Sequence, residues 1–267
     1  MYSVNYHRAS SLADAAKLAK TGDAKFLSGG MTLIPAMKTR LAAPSDLVDL
    51  GHIAELKGVK VSGKSVVIAA GTTHYEVAND EKLKKVCPAI TELAGMIGDP
   101  AVRYRGTIGG SSANNDPAAD YPSALLALDA VVVTNKRQIA ADKFFKGLFE
   151  TALKDGEIVT AVAFTAPAKA AYQKFRNPAS RYAIAGVFVA KGKEGVRVAV
   201  TGAGDDGVFR AKQLEAALTK KFDASALDGV TVSSDNLMSD IHASAEYRAN
   251  LVLVMARRAV TAANTRS

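Results

Sequence analysis

At 267 residues and 48% apolar composition, the chain has material for two or three packed modules and reads as globular. A formal charge of +8 admits an acidic partner, but the basic residues are scattered, in groups no denser than Lys82-Leu83-Lys84-Lys85 and Arg257-Arg258. With 6% aromatics and no Trp there is little material for base stacking, so no nucleic-acid groove is expected. Cys87 stands alone, which excludes an internal disulfide framework and any iron-sulfur cluster held by this chain's own thiolates. Between Val86 and Pro88 it reads as a small buried apolar residue. No apolar signal region opens the chain and no run approaches ~20 apolar residues, so a cytoplasmic protein without a transmembrane segment is expected.

In chain order, Leu12, Ala15, Ala16 and Ala19 recur at helical spacing, and residues 25–27 read as a short strand. Ser28-Gly29-Gly30-Met31-Thr32 is then a turn before the amphipathic run 33–41. Strand, glycine turn and helix in that order form an anion-binding arrangement, because the first amides of a helix have no acceptor within it. Residues 47–50 follow, then strands 58–61 and 65–70 joined at Gly63-Lys64 as a hairpin, and a helix over 88–96.

Residues 98–130 are the most informative stretch. Two Asp-Pro pairs punctuate it, Arg103 and Arg105 stand near its start, and Gly109-Gly110 sits in a small-residue centre where bare amides can approach a polyanion. A helix over 121–128 and a strand over 130–134 complete it, with Asn135-Lys136-Arg137 marking the turn back. From Glu157 the pattern becomes strands at 158–164, 170–175, 183–190 and 196–201, followed by helices at 211–218 and 245–263. Strands then helices imply a separate α+β module. Interrupted periodicity near Leu56 and Ala166 divides the chain into 1–56, 57–166 and 167–267.

Gly202-Ala-Gly204-Asp-Asp-Gly207 matches the dinucleotide fingerprint, with Asp223 about twenty residues on. Its context is wrong: Val208-Phe209-Arg210 precedes the helix, and no apolar second strand delivers Asp223 to a ribose. A plain turn is expected there.

Four ordered segments carry a resemblance. They are Leu27-Ser-Gly-Gly-Met-Thr-Leu-Ile34 with Met37-Lys38-Thr39-Arg40; Ile97 to Gly110 with Asp116-Pro-Ala-Ala-Asp120; Tyr172 to Ala183; and Asp240-Ile-His-Ala-Ser-Ala-Glu-Tyr-Arg248. Over essentially its whole length the chain resembles the FAD-binding medium subunit of the molybdenum hydroxylases. That family includes the flavoprotein subunit of carbon monoxide dehydrogenase and the flavin domain of xanthine dehydrogenase. The departures are small: Ser28 stands where Ala is common, and Thr32 where Ser is common.

The resemblance implies an α+β protein: a two-part FAD-binding α/β region of the PCMH type (1–56 and 57–166), then a carboxy-terminal flavoprotein domain with an antiparallel sheet and helices. It implies FAD held by Leu27, Ser28, Gly29, Gly30, Met31, Thr32 and Leu33 on one side and Thr107, Gly109, Gly110 and Ser111 on the other. Asn114, Asp116 and Asp120 then meet the ribityl and neighbouring hydroxyls, and Tyr182 lies against the isoalloxazine. From the residues alone, Asp120 equally suits the N-cap of the following helix, and Tyr182 an ordinary strand aromatic. Arg103 and Arg105 suit phosphates, or ion pairs to Asp99 or a neighbouring subunit. His74 is read as structural, and His7, His52 and His242 lack metal-ligand spacing.

The implied partners are a molybdopterin-binding large subunit and a small subunit with two [2Fe-2S] clusters, in a heterotrimer or its dimer. The implied activity is electron transfer from those clusters to an external acceptor, with no catalytic acid or base on this chain. A self-sufficient flavin oxidase of related fold and a flavin-free basic scaffold protein are the alternatives.

Overall fold

The computed structural model describes residues 1–20 and 22–265; Thr21 and the last two positions lie outside the described residues. The chain opens with β1 (Asn5–Arg8), α1 (Leu12–Leu18), β2 (Ala24–Leu27), α2 (Leu33–Lys38) and β3 (Asp46–Asp49). The three strands form a parallel sheet in the order β1-β3-β2, joined by helical crossovers as parallel pairing requires. β1 was not foreseen: its side chains are mostly exposed, so it carries no apolar alternation. The run expected to be helical to residue 41 stops at Lys38, and Arg40 takes a left-handed φ of 63°.

The middle of the chain supplies β4 (Val59–Ser62), β5 (Ser65–Ala69), α3 (His74–Asn79), α4 (Glu81–Val86), α5 (Pro88–Gly95), α6 (Pro100–Arg105), α7 (Ile108–Asn114) and α8 (Tyr121–Ala127). It continues with β6 (Val131–Thr134), β7 (Gln138–Ala140), α9 (Ala141–Phe144), the hairpin β8 (Phe145–Gly147) and β9 (Glu150–Thr151), and β10 (Val159–Thr165). Its sheet runs β4-β5-β10-β6-β7 and is antiparallel throughout. The glycine-rich stretch, expected as loop, is two short helices. Each starts on a side-chain cap: Asp99 accepts from the Val102 amide with Pro100 next to it, and Thr107 accepts from the Gly110 amide. Cys87 is buried in the core beside Leu83 and Ile90.

The last part packs β11 (Lys169–Arg176), β12 (Ala183–Gly192), β13 (Gly195–Thr201) and β14 (Phe209–Arg210) as an antiparallel sheet under α10 (Lys212–Lys220) and α11 (Ala245–Thr265). Eight consecutive residues of β12 are buried because both of its faces are covered. Ala185, Val187 and Val189 join the core beneath α11, while Phe188 and Ala190 point the other way, into the core that contains α5 and α8. Arg248 explains the carboxy-terminal signature: nearly fully buried, it donates to the carbonyls of Ile184 and Gly202 and pairs with Asp240 at 2.7 Å. The fingerprint at Gly202 is a turn. The Gly202 amide donates to the Pro117 carbonyl, Phe209 and Arg210 form β14, and Asp223 caps a short 3-10 helix at Ala224–Leu227.

Candidate functional site

Every cofactor-binding residue expected from the sequence lines one cavity of about 700 Å³, a size suited to a cofactor. Residues 27–33 form one side; Thr107, Gly109, Gly110, Ser111, Asn114, Asp116 and Asp120 form another, and Tyr182 stands at the end of a third. The two glycine segments touch each other. The Ser28 and Thr107 hydroxyls lie 3.0 Å apart, and a side chain at Gly29 would run into the Arg105 carbonyl and come within 2.7 Å of Gly106 Cα. Gly30 has a φ of +74°, in the left-handed region that glycine occupies without steric cost.

The two loops are not chemically equivalent. Among the described residues, the amides of Gly29, Gly30, Met31 and Thr32 have no acceptor, and the Thr32 hydroxyl makes no cap for α2. The opposite holds at the start of α7. Ile108, Gly109 and Gly110 donate to the Thr72 carbonyl (3.1 Å), the Ala70 carbonyl (2.8 Å) and the Thr107 hydroxyl (3.1 Å). The expectation of bare amides at Gly109-Gly110 is therefore corrected. Gly109 is needed for packing, since a Cβ there would collide with Ala70 and lie 2.8 Å from its carbonyl oxygen. The amides left free to meet an anion belong to the first loop, and the second loop is the wall against which it is set.

Asp120 is buried, and it does not cap α8. The Tyr172 hydroxyl donates to one of its carboxylate oxygens, and the ammonium of Lys174, whose side chain is buried, reaches the other at 2.9 Å. Burial pushes this carboxyl above its ordinary range, against the pull of Lys174 and Tyr172 in the other direction. Lys174 also donates to the Met96 carbonyl and lines the same cavity. It went unnoticed in the sequence because a lysine in a strand ordinarily faces solvent; the signal was its alternation with Tyr172 on one face of β11. Asp116 turns back to accept from the Ala118 amide, and its partial burial raises its pKa.

Arg103 is committed elsewhere. It donates to the carbonyls of Ile97 and Gly98, while Asp99 caps α6, so no ion pair joins the two. Tyr182 is half-exposed and follows a loop closed by Asn177, whose backbone amide donates to the Tyr182 carbonyl at 2.8 Å. Burial of the Tyr182 hydroxyl, with Asp116 and Asp120 nearby, raises its pKa.

His74, read as structural, lies on the cavity wall with its Nδ1 unpaired and its ring 5.3 Å from that of Tyr121, whose hydroxyl is also unpaired. Burial, helped by the Arg103 charge, lowers its pKa from 6.5 to about 4. The folded state keeps His74 neutral while the unfolded chain takes up a proton, so stability is present above 6.5 and is lost as pH falls towards 4. Between pH 7 and pH 5 this is about 2 kcal/mol. Urea unfolding at the two pH values is expected to show that drop in the parent chain and not in His74→Gln; equal drops in both would refute it.

Free amides at one point, a wall of small residues opposite, and an aromatic at the end define the class: a binding protein for a long, anionic, ring-bearing cofactor. Comparison with known proteins is specific. Residues 2–167 match the FAD binding domain in molybdopterin dehydrogenase, and residues 170–263 match the CO dehydrogenase flavoprotein C-terminal domain. The carbon monoxide dehydrogenase medium chain of Afipia carboxidovorans is 36% identical, over 99% of this chain and 98% of its own. The nicotine 6-hydroxylase medium subunit of Paenarthrobacter nicotinovorans is 34% identical over the same shares. The solved structure of reconstituted CO dehydrogenase from Oligotropha carboxidovorans contains a chain that superposes with a TM-score of 0.90 at 35% identity, covering 100% of this chain and 99% of that one. The chain belongs to the family of FAD-binding medium subunits of the molybdenum hydroxylases, and its cofactor is FAD. It is an oxidoreductase component, and among the described residues no helix is long and apolar enough to cross a membrane.

Proposed function

We propose that this chain is the electron-transfer flavoprotein of a multi-subunit molybdenum hydroxylase. A small [2Fe-2S] subunit would deliver electrons that a molybdopterin-binding large subunit has drawn from substrate, and the flavin would hand them to an external acceptor. The unpartnered amides of residues 29–32, facing a glycine segment whose amides from Ile108 to Ser111 are in use, carry the reading. They suit a pyrophosphate, which offers acceptors only. Bound FAD supplies the redox chemistry, accepting electrons and releasing them. The chain's own residues bind and orient it: the first loop takes the anionic centre, Asn114 and Asp116 offer polar groups to hydroxyls, and Tyr182 offers a ring face.

The single cysteine, Cys87, agrees with this division of labour, since a cluster requires several thiolates. The test is purification of the full chain with added FAD, followed by mixing with the reduced iron-sulfur partner. A yellow protein whose flavin bleaches on mixing and recovers with an acceptor is expected. A colourless chain that takes up no FAD would sink the proposal.

A further inference from the structure

The hairpin β8–β9 ends in a two-residue turn, Leu148-Phe149, and both residues are exposed. The positive φ of that turn, 55°, falls on Phe149, its second central residue, a position where glycine is strongly preferred. Phe149 is also 59% exposed and lines the cofactor cavity. A bulky ring held in the left-handed region, outside the core, is costly twice over, and such outliers gather at ligand clamps.

The turn does not adopt this form for want of constraint. Asn115, buried and itself left-handed, ends α7 and donates its side-chain amide to the carbonyls of Gly147 and Glu150, each at 2.8 Å. The Phe149 amide donates in return to the Asn115 carbonyl at 3.1 Å. The hairpin tip is thereby bolted to the end of the helix that carries Gly109 and Gly110. Asn115 adjoins Asp116, whose charge is felt at the Tyr182 hydroxyl, so Phe149 and Tyr182 belong to the same end of the cavity.

We propose that Phe149 is a positioning residue for the flavin, a second aromatic surface that packs on the isoalloxazine ring and is held ready by the Asn115 clamp. The inference rests on the reading that the Tyr182 end of the cavity receives that ring. Aromatic rings in contact prefer offset or edge-on packing, which a Phe on a backbone already fixed by the Asn115 bonds can supply with less ordering on binding than a free loop.

The test uses the full chain stripped of flavin, with FAD binding followed by flavin fluorescence and visible circular dichroism, and ADP binding followed by calorimetry. ADP carries the adenine and pyrophosphate but lacks the isoalloxazine. Phe149→Gly is expected to leave the Tm of the flavin-free chain unchanged or higher, because glycine fits the turn. It is expected to weaken FAD roughly tenfold, to change the visible dichroism of the bound flavin, and to leave ADP affinity unaltered. Phe149→Tyr, which keeps the ring, is expected to retain parental FAD affinity. Unchanged FAD affinity in Phe149→Gly would overturn the proposal, as would an equal loss for ADP, which would place the ring on the adenine side. A lowered Tm without flavin would mark a structural role and overturn it too. Failure of the parent chain itself to bind FAD would be a different result, removing the flavin reading on which the inference stands.

Discussion

Gly29→Ala is expected to weaken FAD binding by about two orders of magnitude while leaving a folded chain. The added methyl would meet the Arg105 carbonyl and Gly106 Cα, both backbone, so no side-chain rotation relieves it and the loops must separate. Overpacking of this kind costs ~1–3 kcal/mol, and about 2.8 kcal/mol corresponds to a hundredfold in affinity. Separation also breaks the contact between the Ser28 and Thr107 hydroxyls and misdirects the free amides beside Gly29. Gly192→Ala is the matched control, since nothing lies within 4 Å of a Cβ at that position. Fluorescence titration of both variants decides the matter: similar FAD affinities would show that the loops yield and that their close approach is not required.

Lys174→Met is expected to give the largest loss of stability, ~3–5 kcal/mol, the range for removing one partner of a buried ion pair. Asp120 would keep only the Tyr172 hydroxyl at a site with almost no access to water. Its carboxyl, already raised by burial, would rise further and retain its proton in the folded state. A folded pKa above the unfolded one gives stability at low pH that is lost as pH rises through it, so the deficit against the parent chain should shrink at pH 5 compared with pH 7. Adding Asp120→Asn should recover much of the loss at pH 7, because an amide is neutral without having to take up a proton on folding. Urea unfolding of the single and double variants measures this; a single variant within 0.5 kcal/mol of the parent would show that the pair is not coupled.

The glycine segments, the strands of the carboxy-terminal sheet and α11 were legible because each leaves a local signature: small residues in order, apolar runs, or a long amphipathic period. What was not legible depends on distant neighbours. The helices α6 and α7 look like loop in composition, and only capping by Asp99 and Thr107, with the amides of α7 docked on Ala70 and Thr72, makes them helical. Gly109 is legible in the sequence, but for its amide; the structural reason for it is the close approach of Ala70, just past the end of β5. Lys174 and Phe149 stayed hidden for opposite reasons. The first has a surface residue's chemistry in a buried place, and the second a core residue's chemistry at an exposed turn. Residue type predicts neither, and tertiary contacts decide both.

The bonds from Tyr172 and Lys174 to Asp120 also bear on the order in which the protein can be made. A chain growing on the ribosome exposes both glycine loops by residue 111, yet Asp120 has no counter-charge until β11 has emerged more than fifty positions later. A fragment ending at residue 167, the limit of the matched FAD-binding domain, would carry both glycine loops and the Asp120 carboxylate with neither of its partners. The cofactor pocket therefore closes late, and its completion reports that the carboxy-terminal sheet has docked.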